Sequence, residues 1–272
     1  MIHPTAVIAP DSRMGTGVEI GPYSVIESGV ELGDDVRLGP RVTVLGHTRI
    51  GSGTKIHAGA VIGDEPQDLH FEGAESYTEI GRNCILREYV TVHRGAKPGT
   101  VTLVGDHVML MAFAHLGHNC RLGNNVVVAN ATLLGGHVEV GDGAFISASV
   151  LVHQFCRIGA LAMIGGGSGL NQDVPPFCMF QFGGVRGPNL IGMRRQGIDA
   201  AARLAVKGAV KTFFFSGLNR LSALDRMRAQ HGSCPQVQAM IQFIEGTKRG
   251  IVGGGKEERA VGATDDEAVG NA

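Results

Sequence analysis

The chain has 272 residues, 24 basic and 25 acidic side chains, and a net charge of −1. That balance leaves no basic surface for nucleic acid, and no apolar run approaches the roughly 20 residues that span a bilayer. No leader peptide is visible, because the N-terminus enters a repeat at once, and the five cysteines show no disulfide pattern. A cytoplasmic protein is therefore expected.

The repeat starts at Ile2. Stepping by six to Leu170 visits 29 positions, and 26 of them are Ile, Leu, Val or Met. Asp68, Ala74 and Pro98 are the exceptions. A period of six fits neither a helix nor one long strand. It fits short strands that bend at regular intervals, each with one aliphatic side chain inside, as in a β-solenoid. The residue after the aliphatic is often glycine (Gly21, Gly33, Gly39, Gly51, Gly117, Gly123, Gly141, Gly159), which predicts relief of the backbone at a corner. A small residue often sits two before the next aliphatic, and Cys84, Cys120 and Cys156 fall in that slot, 36 residues apart. They read as buried structural thiols. Three strands make a triangular coil of about 18 residues. With 42 Gly and no Trp, the composition suits a narrow prism.

Two polar interruptions, 64–79 and 93–103, are rich in turn formers and read as loops thrown out of the coil. Such loops commonly carry function. Pro175 and Pro176 are expected to stop the repeat. The pattern from about 190 to 245 is helical, and the apolar-poor stretch from 251 is expected to be a disordered tail. The predicted organisation is a parallel β-helix over 1–188, a small helical C-terminal domain over 189–250 and a tail over 251–272.

The prism interior is full, so chemistry must lie outside it. His118 and His137 are 19 residues apart and His118 and His153 are 35 apart, which puts them in adjacent columns on one side. His115 lies three residues before His118. Such a cluster suits metal binding or general base catalysis near neutral pH. No Ser or Cys is placed as a nucleophile, and the slot of Cys120 points it inward.

Several stretches carry a resemblance: QDL at 67–69, VTVHRG at 90–95, AHLGHNC at 114–120, NNVVVANATLLGGHV at 124–138, VHQFC at 152–156, QDVPP at 172–176 and GMRRQG at 192–197. Over residues 1 to about 245 the chain resembles UDP-N-acetylglucosamine O-acyltransferases, the first enzymes of lipid A synthesis. The resemblance implies a left-handed β-helix and a homotrimer with its site between subunits. It also implies transfer of an (R)-3-hydroxyacyl chain from the phosphopantetheine of acyl carrier protein to the 3-hydroxyl of the UDP-sugar. No metal or other cofactor is expected.

Residue by residue, His118 matches the family's general base and the Gly136 N–H its oxyanion donor. Gln67, Asp68, His70, His93, His115, His137 and His153 match substrate positions, with Gln154, Asn189, Arg194 and Arg195 toward the nucleotide end. Gly165, Gly166 and Gly167 leave the acyl groove open. A basic run of Arg186, Arg194, Arg195, Arg203, Lys207 and Lys211 suits an acidic carrier.

Some positions depart from the pattern. His70 stands where the family often has Lys, and Asn119 replaces the acidic neighbour of the base. Ile191 and Gln196 replace a glutamate and a basic residue. A backbone carbonyl is expected to orient His118 in place of the missing carboxylate. The alternatives are a γ-class carbonic anhydrase with zinc held by His, and an acyltransferase acting on a 3-amino UDP-sugar. A later N-acyltransferase of the same pathway is a further rival; it carries an extra N-terminal domain.

Overall fold

A computed structural model describes residues 1–255; the rest of the expected tail, 256–272, lies outside the described residues. Among the described residues the architecture is a left-handed parallel β-helix of triangular section, followed by four helices. Face I carries nine strands, from Val7–Ile8 to Gly169–Leu170. Face II carries eight, from Arg13–Met14 to Arg157–Ile158. Face III carries ten, from Glu19–Ile20 through Met163–Ile164 to the hairpin Cys178–Gln181 and Gly184–Pro188.

The sixfold aliphatics do what their spacing demands. Leu116, Leu134 and Val152 stand in register on successive coils, and each is buried. Burying a Leu or Ile side chain contributes about 1.5–3 kcal/mol, and the column repeats this on every coil.

The corners differ from the expectation in one respect. Apart from Gly63 (φ 87°), where the first loop departs, glycines directly after the aliphatic do not take the left-handed conformation. They lie where the next coil presses closest: a Cβ on Gly21 would stand 2.6 Å from the Gly39 carbonyl carbon, and one on Gly159 would stand 2.2 Å from Pro176 N. The left-handed residue comes two positions later, as at Asn83 (φ 54°), Asn119 (φ 61°), Asn125 (φ 56°) and His137 (φ 60°). A non-glycine residue there costs roughly 1–2 kcal/mol. The corner recovers it through backbone bonds such as His137 N–H to the His118 carbonyl, 2.9 Å.

The prolines also differ from the expectation. Pro175 and Pro176 sit at a corner, and the strand Cys178–Gln181 resumes parallel pairing with Met163–Ile164. Cys120 and Cys156 share a column, while Cys84 falls on face III, because the intervening loop shifts the count. Burial pushes the Cys120 thiol up to about 12.

Both loops leave the same corner. Ile62 to Ile80 spans eighteen residues and Val92 to Val104 spans twelve, where a bare corner takes six. Each insertion is a whole multiple of the repeat, so the phase survives. Each runs from face I to face II. This I–II corner also bears His118.

The helices are α1 (Leu190–Arg195), α2 (Ala200–Phe215), α3 (Arg220–His231) and α4 (Pro235–Glu245). Asp199 and Asn219 cap α2 and α3 by accepting from Ala202 N–H and Ser222 N–H. Val206 and Val210 of α2, Met227 of α3 and Ile241 of α4 make their core.

Residues 251–255, expected in the tail, instead pair with the coil: Ile251 bridges Asp173 and Gly254 bridges Val185. The buried Asp173 carboxylate anchors this return. It accepts from Arg157 Nε at 2.9 Å and from Thr247 Oγ1 at 2.7 Å.

Candidate active site

At the I–II corner the side chain of His118 reaches over the next coil. Its ring lies where a Cβ on residue 136 would be, 2.5 Å from His118 Nε2. Glycine at 136 is therefore what gives the imidazole room.

The hydrogen-bond pattern assigns the ring's tautomer. The Ala96 N–H donates to Asn119 Oδ1 at 2.9 Å, which fixes which end of the amide is oxygen. The same oxygen lies 3.0 Å from His118 Nδ1. An amide oxygen only accepts, so Nδ1 carries the proton and Nε2 keeps a lone pair. The orienting group is thus the Asn119 side chain and not a backbone carbonyl. Asn119 is held in turn by its own N–H, which donates to Thr102 Oγ1 at 2.7 Å.

His137 stands edge-on to His118, with ring centroids 5.2 Å apart, and stacks on Phe155 at 4.6 Å. Burial, then the neighbouring His118 and Lys97, hold its pKa below the usual histidine value. His93 is buried and donates from Nδ1 to the Glu65 carbonyl, which anchors the first loop; burial lowers its pKa. His115 lies edge-on to His93 at 5.1 Å, with Nδ1 2.8 Å from Thr91 Oγ1. Burial, then His93, push it down to about 4, so it is neutral at physiological pH.

The first loop brings Asp68 toward the same corner. The His70 N–H donates to its carboxylate at 3.0 Å, and this bond chiefly holds the carboxyl below its ordinary range. Asp68 lies within electrostatic reach of His118 across the site. Gln67 and His70 point to solvent beside it. Arg94 ties the two loops together: its N–H donates to the Asp64 carbonyl at 2.9 Å and its guanidinium meets Glu65 at 3.3 Å.

The backbone of this corner is left open. Among the described residues the Gly136 N–H has no acceptor within the chain. Beside it on face I runs a groove of about 580 Å³, lined by His115, Leu133, Leu151, His153, Gly169 and Asn171. Leu133 and Leu151 are exposed in it. His153 and Gln154 stand exposed at its upper end. At the far edge, on the III–I corner, Gly166 and Gly167 are exposed; Gly165 is instead buried beneath Gln181, 2.7 Å from where its Cβ would be.

The chain does not bring Asn189, Arg194 or Arg195 to His118. Asn189 caps α1 by accepting from Gly192 N–H, and its amide donates to the Leu161 carbonyl at 2.9 Å, on the II–III corner. Arg194 and Arg195 are exposed in the last turn of α1. Leu133, Leu151, Thr102 and the amide role of Asn119 escaped the sequence reading. The two leucines occupy the outward slot of the repeat and carried a signal that could have been read.

The comparisons bear on this arrangement. Residues 29–64 and 102–136 match the bacterial transferase hexapeptide model, and 173–252 match the second domain of UDP-N-acetylglucosamine O-acyltransferase. An acyl-[acyl-carrier-protein]–UDP-N-acetylglucosamine O-acyltransferase from Chlamydia caviae is 45% identical, covering 98% of this chain and 96% of the relative. The chain belongs to this family of acyltransferases. A relative of the same name from Xanthomonas campestris is 40% identical over 93% of this chain and 97% of its own. The crystal structure of a UDP-N-acetylglucosamine acyltransferase from Bacteroides fragilis, 39% identical, superposes with a TM-score of 0.90 over 92% of this chain and 99% of that one. Family membership sets aside the carbonic anhydrase alternative. Among the described residues no three His, Cys, Asp or Glu stand together as a metal site, and no helix is long and apolar enough to cross a membrane.

Proposed function

We propose that the I–II corner transfers an (R)-3-hydroxyacyl chain from acyl carrier protein to the 3-hydroxyl of UDP-N-acetylglucosamine, the opening step of lipid A synthesis. The observation that carries this reading is the pinned His118, with a free Nε2 lone pair beside an uncapped Gly136 N–H. A sugar hydroxyl is a weak nucleophile, so a base must take its proton as it attacks. His118 Nε2 takes that proton. The hydroxyl oxygen bonds to the thioester carbonyl carbon, and the carbonyl oxygen becomes an oxyanion held by the Gly136 N–H. The intermediate collapses, the carbon–sulfur bond breaks, and the leaving thiolate recovers the proton from His118. No covalent enzyme intermediate and no resident cofactor are required, since the acyl group arrives on the carrier's phosphopantetheine.

Asp68, His93 and His137 bind the sugar in this reading, and Gln67, His70 and Gln154 flank it. The groove past Leu133 and Leu151 takes the acyl chain toward Gly166, which favours a longer chain over a shorter one. A homotrimer completes the site. Leu69, fully exposed on the first loop, and Phe145 and Met163 on face III are apolar surface that a second copy would cover. Asn189, Arg194 and Arg195 then serve the nucleotide end across a subunit boundary. Arg194, Arg195, Lys207 and Lys211 are exposed for the acidic carrier. Five free cysteines suit a reducing cytoplasm.

The test is mass spectrometry of products from the purified enzyme, with a panel of acyl carrier thioesters and two acceptors, UDP-N-acetylglucosamine and its 3-amino analogue. The expected product is the 3-O-acyl ester of the first. An amide formed only from the second would move the reading to the 3-amino sugar, and no acyl product from either would overturn it.

A further inference from the structure

The last coil does not close as the others do. At the I–II corner the left-handed residues of the two preceding coils donate their N–H groups to backbone carbonyls of the coil below, His137 to His118 O at 2.9 Å and Phe155 to Gly136 O at 3.0 Å. Asp173 is next in that column, but its N–H donates to Gly250 O at 2.9 Å. The segment after α4 has taken the place of the missing coil, held there by the buried Asp173 carboxylate through Thr247.

Arg249 is the side chain this segment lays on the corner. Its Nε and Nη2 both donate to the Asn171 carbonyl, at 3.3 and 3.1 Å. The same Nη2 lies 3.2 Å from His153 Nδ1. A guanidinium only donates. His153 must then offer its Nδ1 lone pair to this contact and carry its ring proton on Nε2. Nδ1 also lies 3.2 Å from the carbonyl oxygen of Gln154, and a bond to that oxygen demands the opposite tautomer. The two contacts exclude each other. The charged donor makes the stronger bond, and its fork on Asn171 keeps it in place.

We propose that Arg249 is a positioning residue for acyl transfer, holding His153 as a neutral Nε2–H donor at the upper end of the acyl groove. The inference rests on the reading of this corner as the transfer site. Its consequence is chemical. His153 presents a proton, not a lone pair, to a group entering the groove beside Leu151. That suits an acceptor oxygen on the acyl donor, either its carbonyl or its hydroxyl. The C-terminal return, by this account, is part of the catalytic apparatus as well as a clamp on the end of the helix.

The test combines long-range ¹H–¹⁵N spectra of the His153 ring with steady-state kinetics for wild type, Arg249→Lys and Arg249→Met. The wild type should show Nε2 protonated and Nδ1 bare. Arg249→Met should shift the proton toward Nδ1 and lower kcat/KM for the acyl donor about tenfold, in the range for losing one hydrogen bond to a charged group. It should leave KM for the UDP-sugar within about twofold. Arg249→Lys keeps a charged donor and should recover part of the loss. A wild-type spectrum with Nδ1 protonated overturns the proposal. So does an Arg249→Met enzyme with unchanged His153 signals and unchanged kinetics. If the methionine variant does not fold, the wild-type spectrum and the lysine variant decide. An enzyme that transfers no acyl group to any acceptor refutes the site reading instead, and leaves the tautomer result to be read by itself.

Discussion

Two corners of the same prism share a backbone and differ in what their side chains do. On the II–III corner, the second residue after the aliphatic is repeatedly Asp, Asn or Ser, and its side chain caps the N–H of the coil below. Thr16 N–H donates to Asp34 at 2.7 Å, Arg82 N–H to Asp106 at 2.7 Å, Asp106 N–H to Asn124 at 2.8 Å and Asn124 N–H to Asp142 at 2.8 Å. On the I–II corner the equivalent residues are His118, Gly136 and Gln154. None of them caps its neighbour, and among the described residues the N–H of Gly136 finds no acceptor. One corner spends its polar groups on the scaffold, and the other keeps them for a ligand. A repeat fold can hold a site wherever its own capping pattern lapses, and here both inserted loops leave from that lapse.

Substitutions should treat the two corners differently. The largest effect is expected from His118→Ala, with kcat falling ~10²–10⁴-fold, the usual contribution of a general base, while the melting temperature holds. Gly136→Ala should follow, with a loss of about 10²-fold, because the new Cβ would stand 2.5 Å from His118 Nε2 and displace it. A crystal structure of that variant should show the imidazole moved. Asn119→Ala should cost about tenfold in kcat, since it frees the His118 tautomer and unpins the loop at Ala96; rates equal to wild type would remove Asn119 from the account.

On the other corner, Asp106→Ala should leave turnover intact and lower stability by about 1 kcal/mol, read by denaturant titration. The Arg82 backbone N–H chiefly holds the Asp106 carboxyl below its ordinary range. Its contribution should be present above about pH 4 and fade as pH falls through the lowered value. A last effect, confined to a pH window, concerns His115. Its folded pKa of about 4 lies below that of the unfolded chain. The stability it confers is present above about pH 6.5 and lost as pH falls toward 4. His115→Gln should therefore flatten the acid side of the stability profile over that window.

Much of this was legible in the sequence because a period of six is stringent: it fixed the inward column from Ile2 to Leu170. The stacked histidines followed from the same count. What escaped the reading has a common cause. The role of glycine after the aliphatic depends on how closely the next coil packs, which no local pattern reveals. The return of Ile251 and Arg249 to the corner spans some 75 to 100 residues of chain, from Asp173 and His153. The prolines at 175–176 read as a stop, yet they occupy a corner where no ladder bond is needed. Asn119 read as a missing carboxylate, because its worth lies in the Ala96 N–H that orients it.

The most direct test is a structure of the enzyme with UDP-N-acetylglucosamine bound. The account predicts the sugar at the I–II corner, with its 3-hydroxyl within hydrogen-bond reach of His118 Nε2, about 2.6–3.2 Å, and Asn119 still on Nδ1. A sugar seated elsewhere, or one that presents its 3-hydroxyl away from His118, would contradict it.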